Sequence, residues 1–129
     1  MAVFFGIIFL VYFDRRKMRL NMKIIITGSN GQLGNAIIDI ISNGGNSLGP
    51  IPKQFIGANI IGVDIDTLDI SDEKAVSSFI EKNKPELIIN CAAMTNVDGC
   101  EDNPEAAYNA NTKGPENLAK AAEMIGAKL

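Results

Sequence analysis

The chain has 129 residues, 47% of them hydrophobic, with 12 Lys+Arg against 15 Asp+Glu for a formal charge of −3, and it contains no histidine and no tryptophan. That length suits one domain with one core, and the slight acidic excess provides no basic face for nucleic acid or anionic lipid. Without histidine, Ser-His-Asp and Cys-His catalysis and imidazole-based zinc sites are excluded. The two cysteines, Cys91 and Cys100, are too few for a disulfide framework or a four-thiolate metal centre, and they fit a reducing cytoplasm.

Residues 1–21 read as an apolar and basic extension. Ala2–Phe13 is an unbroken apolar run, followed at once by Asp14, Arg15, Arg16 and Lys17. It is shorter than the roughly 20 residues of a spanning helix and lacks a signal peptide's positive leading region and cleavage site. Three readings stay open: a non-native upstream extension, since Met18 and Met22 offer later starts; a weakly membrane-associating or partner-binding segment; or a stray edge strand.

From Lys23 the pattern is β-α-β-α-β-α. Lys23–Thr27 (KIIIT) is a β-branched run suited to a strand buried on both faces. Leu33, Ile37, Ile40 and Ile41 then form one helical stripe. The Gly/Pro-rich stretch Asn43–Asn59 reads as a long inserted loop, and Ile60–Asp64 as the second strand. Ser71, with Asp72 and Glu73 behind it, predicts a helix N-terminus, Val76, Phe79 and Ile80 its buried face, and Pro85 its end. Leu87–Asn90 is the third strand. Asn103-Pro104 is a second capping signal, and the helix beyond it runs through Leu118, Ala121, Ala122 and Ile125 with a kink expected at Gly114-Pro115. Strands alternating with helices predict an α/β, Rossmann-type doubly wound parallel sheet. Ala127-Lys128-Leu129 reads as the opening of a fourth strand, so 22–129 is expected to be an NAD(P)-binding domain truncated after about three β-α units.

The strongest chemical signal is Thr27-Gly28-Ser29-Asn30-Gly31-Gln32-Leu33-Gly34, a G-x-x-G-x-x-G turn between first strand and first helix. Gly28 permits a sharp exit from the strand, Gly31 lets backbone N–H groups approach a pyrophosphate, and Gly34 lets the helix pack on the sheet. The helix N-terminus adds unpaired donors and a partial positive charge. No G-K-[ST] follows, which excludes a triphosphate P-loop. Asp64 ends the second strand, where an acid reads the adenosine ribose; it comes later than the usual roughly 20 residues because of the insertion. All three arginines, Arg15, Arg16 and Arg19, precede the first strand, so NAD(H) is favoured over NADP(H), with Lys53 in the insertion left as a cation that could fold back onto a 2′-phosphate.

Asp69-Ile70 could flank adenine or cap the next helix. Small residues in Cys91-Ala92-Ala93 would let a nicotinamide pass close to the backbone, and Cys91 reads as a small buried hydrophobe more readily than as a reactive thiol. Asp98, Glu101 and Asp102 read as solvated loop charges rather than a metal site.

Four segments, MKIIITGSNGQLG (Met22–Gly34), LDISD (Leu68–Asp72), KPELIINCAAMTNVDGCE (Lys84–Glu101) and NTKGPENLAKAA (Asn111–Ala122), together resemble the dTDP-4-dehydrorhamnose reductase family of the extended short-chain dehydrogenase/reductase superfamily. The resemblance implies reduction of the 4-keto group of a dTDP-6-deoxy sugar by NAD(P)H, completing dTDP-L-rhamnose for cell-surface polysaccharide. It implies a dTDP-sugar substrate and leaves a homo-oligomer open. It places Gly31, Gln32 and Leu33 on the pyrophosphate, Asp64 on the ribose and Asp69 and Ile70 on adenine, with Ala93, Met94 and Thr95 along the path to nicotinamide. Asn30 and Ala92 belong to the same two loops.

The chain departs from that pattern in two ways. Met94 stands where the family usually has an aromatic or His. The family's Tyr-x-x-x-Lys pair, which protonates the carbonyl oxygen, is missing, because Tyr12 is followed four residues on by Arg16 and Tyr108 by Thr112. A non-catalytic dinucleotide-binding or regulatory module, or another extended-type sugar-nucleotide epimerase or dehydratase, therefore remains an alternative.

Overall fold

The computed structural model describes residues 21–129, so the apolar run Ala2–Phe13 and its three readings lie outside the described residues. Strand β1 (Lys23–Thr27) is the centre of a three-stranded parallel sheet in the order β4-β1-β5, with β4 at Asn59–Val63 and β5 at Leu87–Asn90. Ile25 stands in register with Ile61 on one side and Ile88 on the other. Flanked on both edges, β1 carries three isoleucines, Ile24, Ile25 and Ile26, each 0% exposed. Burying one such side chain contributes about 1.5–3 kcal/mol, so this triplet fixes β1 at the middle of the sheet.

Helix α1 (Gln32–Asn43) follows β1, α2 (Glu73–Asn83) follows β4, and β5 leads through α3 (Val97–Asp102) and α4 (Pro104–Tyr108) to α5 (Gly114–Ile125). The core lies on the face where Ile25, Val63 and Ile88 meet Val76 and Ile80 of α2 and Leu118, Ala121 and Ala122 of α5. The predicted α2 face is thus buried at Val76 and Ile80 and half-buried at Phe79. The α1 stripe is only half-buried, and Leu33 is 61% exposed.

The structure shifts four other expectations. The Asn43–Asn59 loop holds a short hairpin, β2 (Gly45–Asn46) with β3 (Gly49–Pro50), and a 3-10 turn at Lys53–Phe55. The second strand starts and ends one residue earlier than predicted, leaving Asp64 just past its end. The cap of α2 is Asp72, whose side chain accepts the Ala75 N–H, while Ser71 donates its hydroxyl to Asp69. The acidic cluster of Asp98, Glu101 and Asp102 is carried by α3 instead of a loop.

The second capping signal stands as read: Asn103 accepts the Ala106 N–H, with Pro104 at the start of the helix. The expected kink at Gly114-Pro115 takes the form of a five-residue π turn, Asn109–Lys113, that joins α4 to α5 with helical backbone throughout. A π turn absorbs the donor that Pro115 lacks without breaking the helix. Beyond α5, Lys128 forms an isolated parallel bridge to Leu87, pairing on the free side of β5 as the reading of a fourth strand expected. Among the described residues no helix is long and apolar enough to cross a membrane.

Candidate functional site

Both β1 and β5 end at the same edge of the sheet, and their exit loops meet there. Thr27, 1% exposed, donates its hydroxyl to Asn90 Oδ1 at 2.5 Å, and the same oxygen accepts the Ala92 N–H at 3.2 Å. Gly28 has φ +62°, and a Cβ on it would stand 2.7 Å from the Cys91 carbonyl and the Ala92 nitrogen. Only glycine fits on both counts. The loop is tied to β4 as well, through the Ser29 N–H donated to the Val63 carbonyl.

Gly31 opens α1 with extended backbone and no side-chain cap, which leaves the first N–H groups of the helix free for an anion. Gly34 is buried under the loop, where a Cβ would lie 2.2 Å from the Gly28 oxygen. Asp64 braces this turn: Oδ2 accepts the Asn30 N–H at 3.0 Å and Oδ1 the Ile65 N–H at 2.9 Å. Asp69 organises the next loop, with Oδ1 accepting both the N–H and the hydroxyl of Ser71 at 2.9 and 2.7 Å.

These loops enclose a cleft of about 680 Å³ lined by Gly28, Asn30, Gly31, Asp64, Asp69, Ile70, Ala92, Ala93 and Met94, among others. Nine of the predicted site residues therefore share one cavity. Gln32, Leu33, Gly34 and Thr95 are not among its lining residues: Gly34 lies beneath the loop, and Leu33 and Thr95 are exposed beside it. A larger hollow of about 860 Å³, at the opposite end of the strands against Phe55, Leu87 and Ile125, contains none of them. The cleft fits a dinucleotide in shape and donors: a glycine cradle that side chains would fill, an uncapped helix start, and two carboxylates spaced along one wall. Among the described residues its lining includes no lysine or arginine. Cys91 also lines it, and partial burial raises the pKa of its thiol, which keeps it protonated and unreactive at neutral pH.

Three asparagines that sequence reasoning gave no role hold the floor and walls of the cleft. Asn90 joins β1 to the Ala92 turn. Asn117, 7% exposed, donates its amide to the Ile70 and Ser71 carbonyls at 3.0 and 3.1 Å. Asn111 bonds to both backbone groups of Met94, accepting its N–H at 2.8 Å and donating to its carbonyl at 2.9 Å. Three asparagines, Asn109, Asn111 and Asn117, within one helical run, against their low helix propensity, are the signal available.

A parallel sheet with a glycine turn leading into an uncapped helix, and with its cleft between the exits of β1 and β5, defines a Rossmann-type fold. The family model described as RmlD substrate binding domain matches residues 22–129, and the chain belongs to that family. It is 35% identical over 119 residues to the dTDP-4-dehydrorhamnose reductase of Mycolicibacterium smegmatis, covering 90% of this chain and 32% of the relative. It is 36% identical over 108 residues to methionine adenosyltransferase 2 subunit beta of Xenopus laevis, covering 83% of this chain and 30% of the relative. Among solved structures, the dTDP-4-dehydrorhamnose reductase of Clostridium acetobutylicum is similar with TM-score 0.69 and 42% identity, over 82% of this chain and 34% of that one. The Bacillus anthracis reductase, in complex with NADP, is similar with TM-score 0.68 and 34% identity, over 84% and 35%. The chain thus spans about a third of the length of the relatives it matches.

Proposed function

We propose that this chain is the cofactor-binding part of a cytoplasmic NAD(P)H-dependent reductase that converts the 4-keto group of dTDP-4-dehydro-6-deoxy-L-mannose to the alcohol of dTDP-L-rhamnose. The observation that carries this reading is the convergence of the Gly28–Gly31 turn, Asp64, Asp69 and the Ala92–Met94 segment on one cleft, in a chain of the RmlD family. When bound, the reduced nicotinamide supplies hydride to the keto carbon. The chain's own residues bind and orient. The start of α1, with Gly31, Gln32 and Leu33, takes the pyrophosphate, and Asp64 takes the adenosine ribose. Asp69 and Ile70 flank adenine, and Ala92, Ala93, Met94 and Thr95 line the way to the nicotinamide. Neither tyrosine has a lysine four residues on, so the chain by itself holds a cofactor without protonating a carbonyl oxygen.

For the choice of dinucleotide, the cleft supports NAD(H): a 2′-phosphate would meet the carboxylate of Asp64 with no cation among the described lining residues to offset it. The NADP bound by the Bacillus anthracis reductase supports NADP(H) as a second ligand. Calorimetric titration of the chain with NADH and NADPH tests both levels. NADH is expected to bind more tightly; equal or tighter NADPH binding overturns the preference, and no binding of either overturns the site.

A second reading, a non-catalytic dinucleotide-binding subunit, is supported by the similarity to the Xenopus laevis methionine adenosyltransferase 2 subunit beta. Fusing this chain to the remaining C-terminal part of a dTDP-4-dehydrorhamnose reductase separates the two. NADPH oxidation by the 4-keto sugar nucleotide supports the reductase reading, and cofactor binding without turnover supports the subunit.

A further inference from the structure

We propose that Asn109 reads the base of the bound dinucleotide, its carboxamide pairing with the amino edge of adenine. The proposal rests on reading the cleft as the dinucleotide site, and it concerns a residue outside the Asp69-Ile70 pair. Ala106, Asn109 and Ala110 all line the cleft. Their spacing of three and four places them on one face of the helical backbone that runs from α4 into the π turn Asn109–Lys113. With an alanine on either side, Asn109 supplies the polar group of that face.

The face stands against the wall read as the adenine site. A Cβ on Gly114 would lie 2.4 Å from Ile70 Cδ1 and 3.4 Å from the Asn109 carbonyl oxygen, so the Ile70 side chain and the Asn109 backbone converge on one point. Other polar groups of this wall are already engaged. Asp69 Oδ1 accepts both the N–H and the hydroxyl of Ser71, and Asn117 donates to the Ile70 and Ser71 carbonyls. Asn109 is half-buried, yet its carboxamide has no hydrogen-bond partner among the described residues. Since no buried side-chain polar atom among them lacks a partner, this amide stays accessible. An asparagine in a helix ordinarily turns its amide onto nearby backbone; this one leaves a donor and an acceptor together for a ligand. A carboxamide pairs with adenine through two bonds, its oxygen accepting from the exocyclic amine and its nitrogen donating to N7. Hypoxanthine has a carbonyl oxygen in place of that amine, so the same amide can make only one of the two bonds.

The test is calorimetric titration of the full 129-residue chain with NADH and with reduced nicotinamide hypoxanthine dinucleotide. Wild type is expected to bind NADH about five- to tenfold more tightly than the hypoxanthine form. In Asn109→Ala the affinity for NADH should fall by about that factor while the affinity for the hypoxanthine form moves by about twofold at most, so the preference disappears. Because the preference is a ratio measured on one protein, partial unfolding of a variant lowers both affinities and leaves it unmoved. Asn109→Asp keeps the acceptor for the amine and has no donor for a carbonyl oxygen, so it should bring a preference for NADH back. An equal preference in wild type and Asn109→Ala overturns the proposal and assigns the discrimination to Asp69; equal affinities of wild type for the two dinucleotides overturn it as well. Absence of NADH binding by wild type overturns the reading of the cleft itself, and the proposal with it.

Discussion

Gly34→Ala is expected to destabilise the fold although alanine is the better helix former. In the first turn of α1 the substitution gains about 1 kcal/mol of helix propensity at most. The added Cβ would stand 2.2 Å from the Gly28 oxygen and 2.9 Å from the Gly28 carbonyl carbon and Ser29 Cα, all backbone atoms. Neighbours this rigid cannot rotate away, so helix and loop must separate by about 1 Å, with overpacking typically costing about 1–3 kcal/mol. The net loss is about 1–2 kcal/mol, or a thermal midpoint lower by about 5 °C or more in a domain of this size. Gly31→Ala is the internal control. Its Cβ would come only to 3.3 Å from the Gly28 oxygen, on extended backbone that any residue adopts, so its midpoint should stay within about 2 °C of wild type while dinucleotide affinity falls. Differential scanning fluorimetry on the two variants decides the matter. An unchanged or raised midpoint for Gly34→Ala would refute the claim that close helix-to-loop contact, and not ligand approach, requires this glycine.

Gly31→Val should abolish binding of both NADH and NADPH in calorimetry, because its side chain fills the space beside the uncapped helix start. Asp64→Asn, which keeps one acceptor oxygen for the Asn30 N–H and removes the charge, should narrow or reverse the preference for NADH over NADPH in the same titration. Cys91 should react slowly with iodoacetamide at pH 7.5. Its raised pKa lowers the thiolate fraction at every pH below that value, so the rate should climb only above the range of an ordinary thiol, and saturating dinucleotide should slow it further. A chain starting at Met22 should keep the far-ultraviolet circular dichroism of the full chain and be more soluble; loss of that spectrum would show that residues 1–21 contribute to folding.

The parts of this fold legible in the sequence were those set by local, repetitive signals. KIIIT is too apolar for anything but a strand covered on both faces, and its position in the sheet bears this out. Asn103-Pro104 and the Gly28–Gly34 turn each encode a specific backbone geometry, and each sits where it was read. The Ser71 cap failed by one residue because Ser71 and Asp72 are both good caps; the Asp69 carboxylate decided between them by engaging the serine hydroxyl. The helical period alone places Leu33 in a buried stripe, yet the residue is 61% exposed beside the first turn of α1, because periodicity gives the direction of a side chain and not the extent of what it packs on. The asparagines were illegible for a different reason. Asn111 and Asn117 act on backbone groups of residues distant in sequence, and Asn90 on the distant Thr27 hydroxyl; no spacing rule reveals a partner that only the tertiary fold brings near.

The sheet order explains why those asparagines gather where they do. From β1 the chain crosses to one side to form β4, then returns to the other side of β1 to form β5. The exit loops of β1 and β5 therefore lead away in opposite directions, and a crevice must open between them. Such a crevice is useful only if its floor is closed, and here the floor is the contact of Gly28 with the Cys91-Ala92 peptide, fastened by Thr27 and Asn90. Its side walls, the Ile70-Ser71 turn after β4 and the Met94 segment after β5, have left the sheet and lost their strand partners. Each has open backbone groups, and each is claimed by an asparagine from the one helical run that passes both, Asn117 for the first and Asn111 for the second. Topology fixes the location of the cleft, and side-chain amides substitute for the hydrogen bonds that the sheet ceases to provide at its edge. Removing an amide should accordingly loosen one wall at a time, with the sheet, its isoleucine centre and the glycine floor left intact.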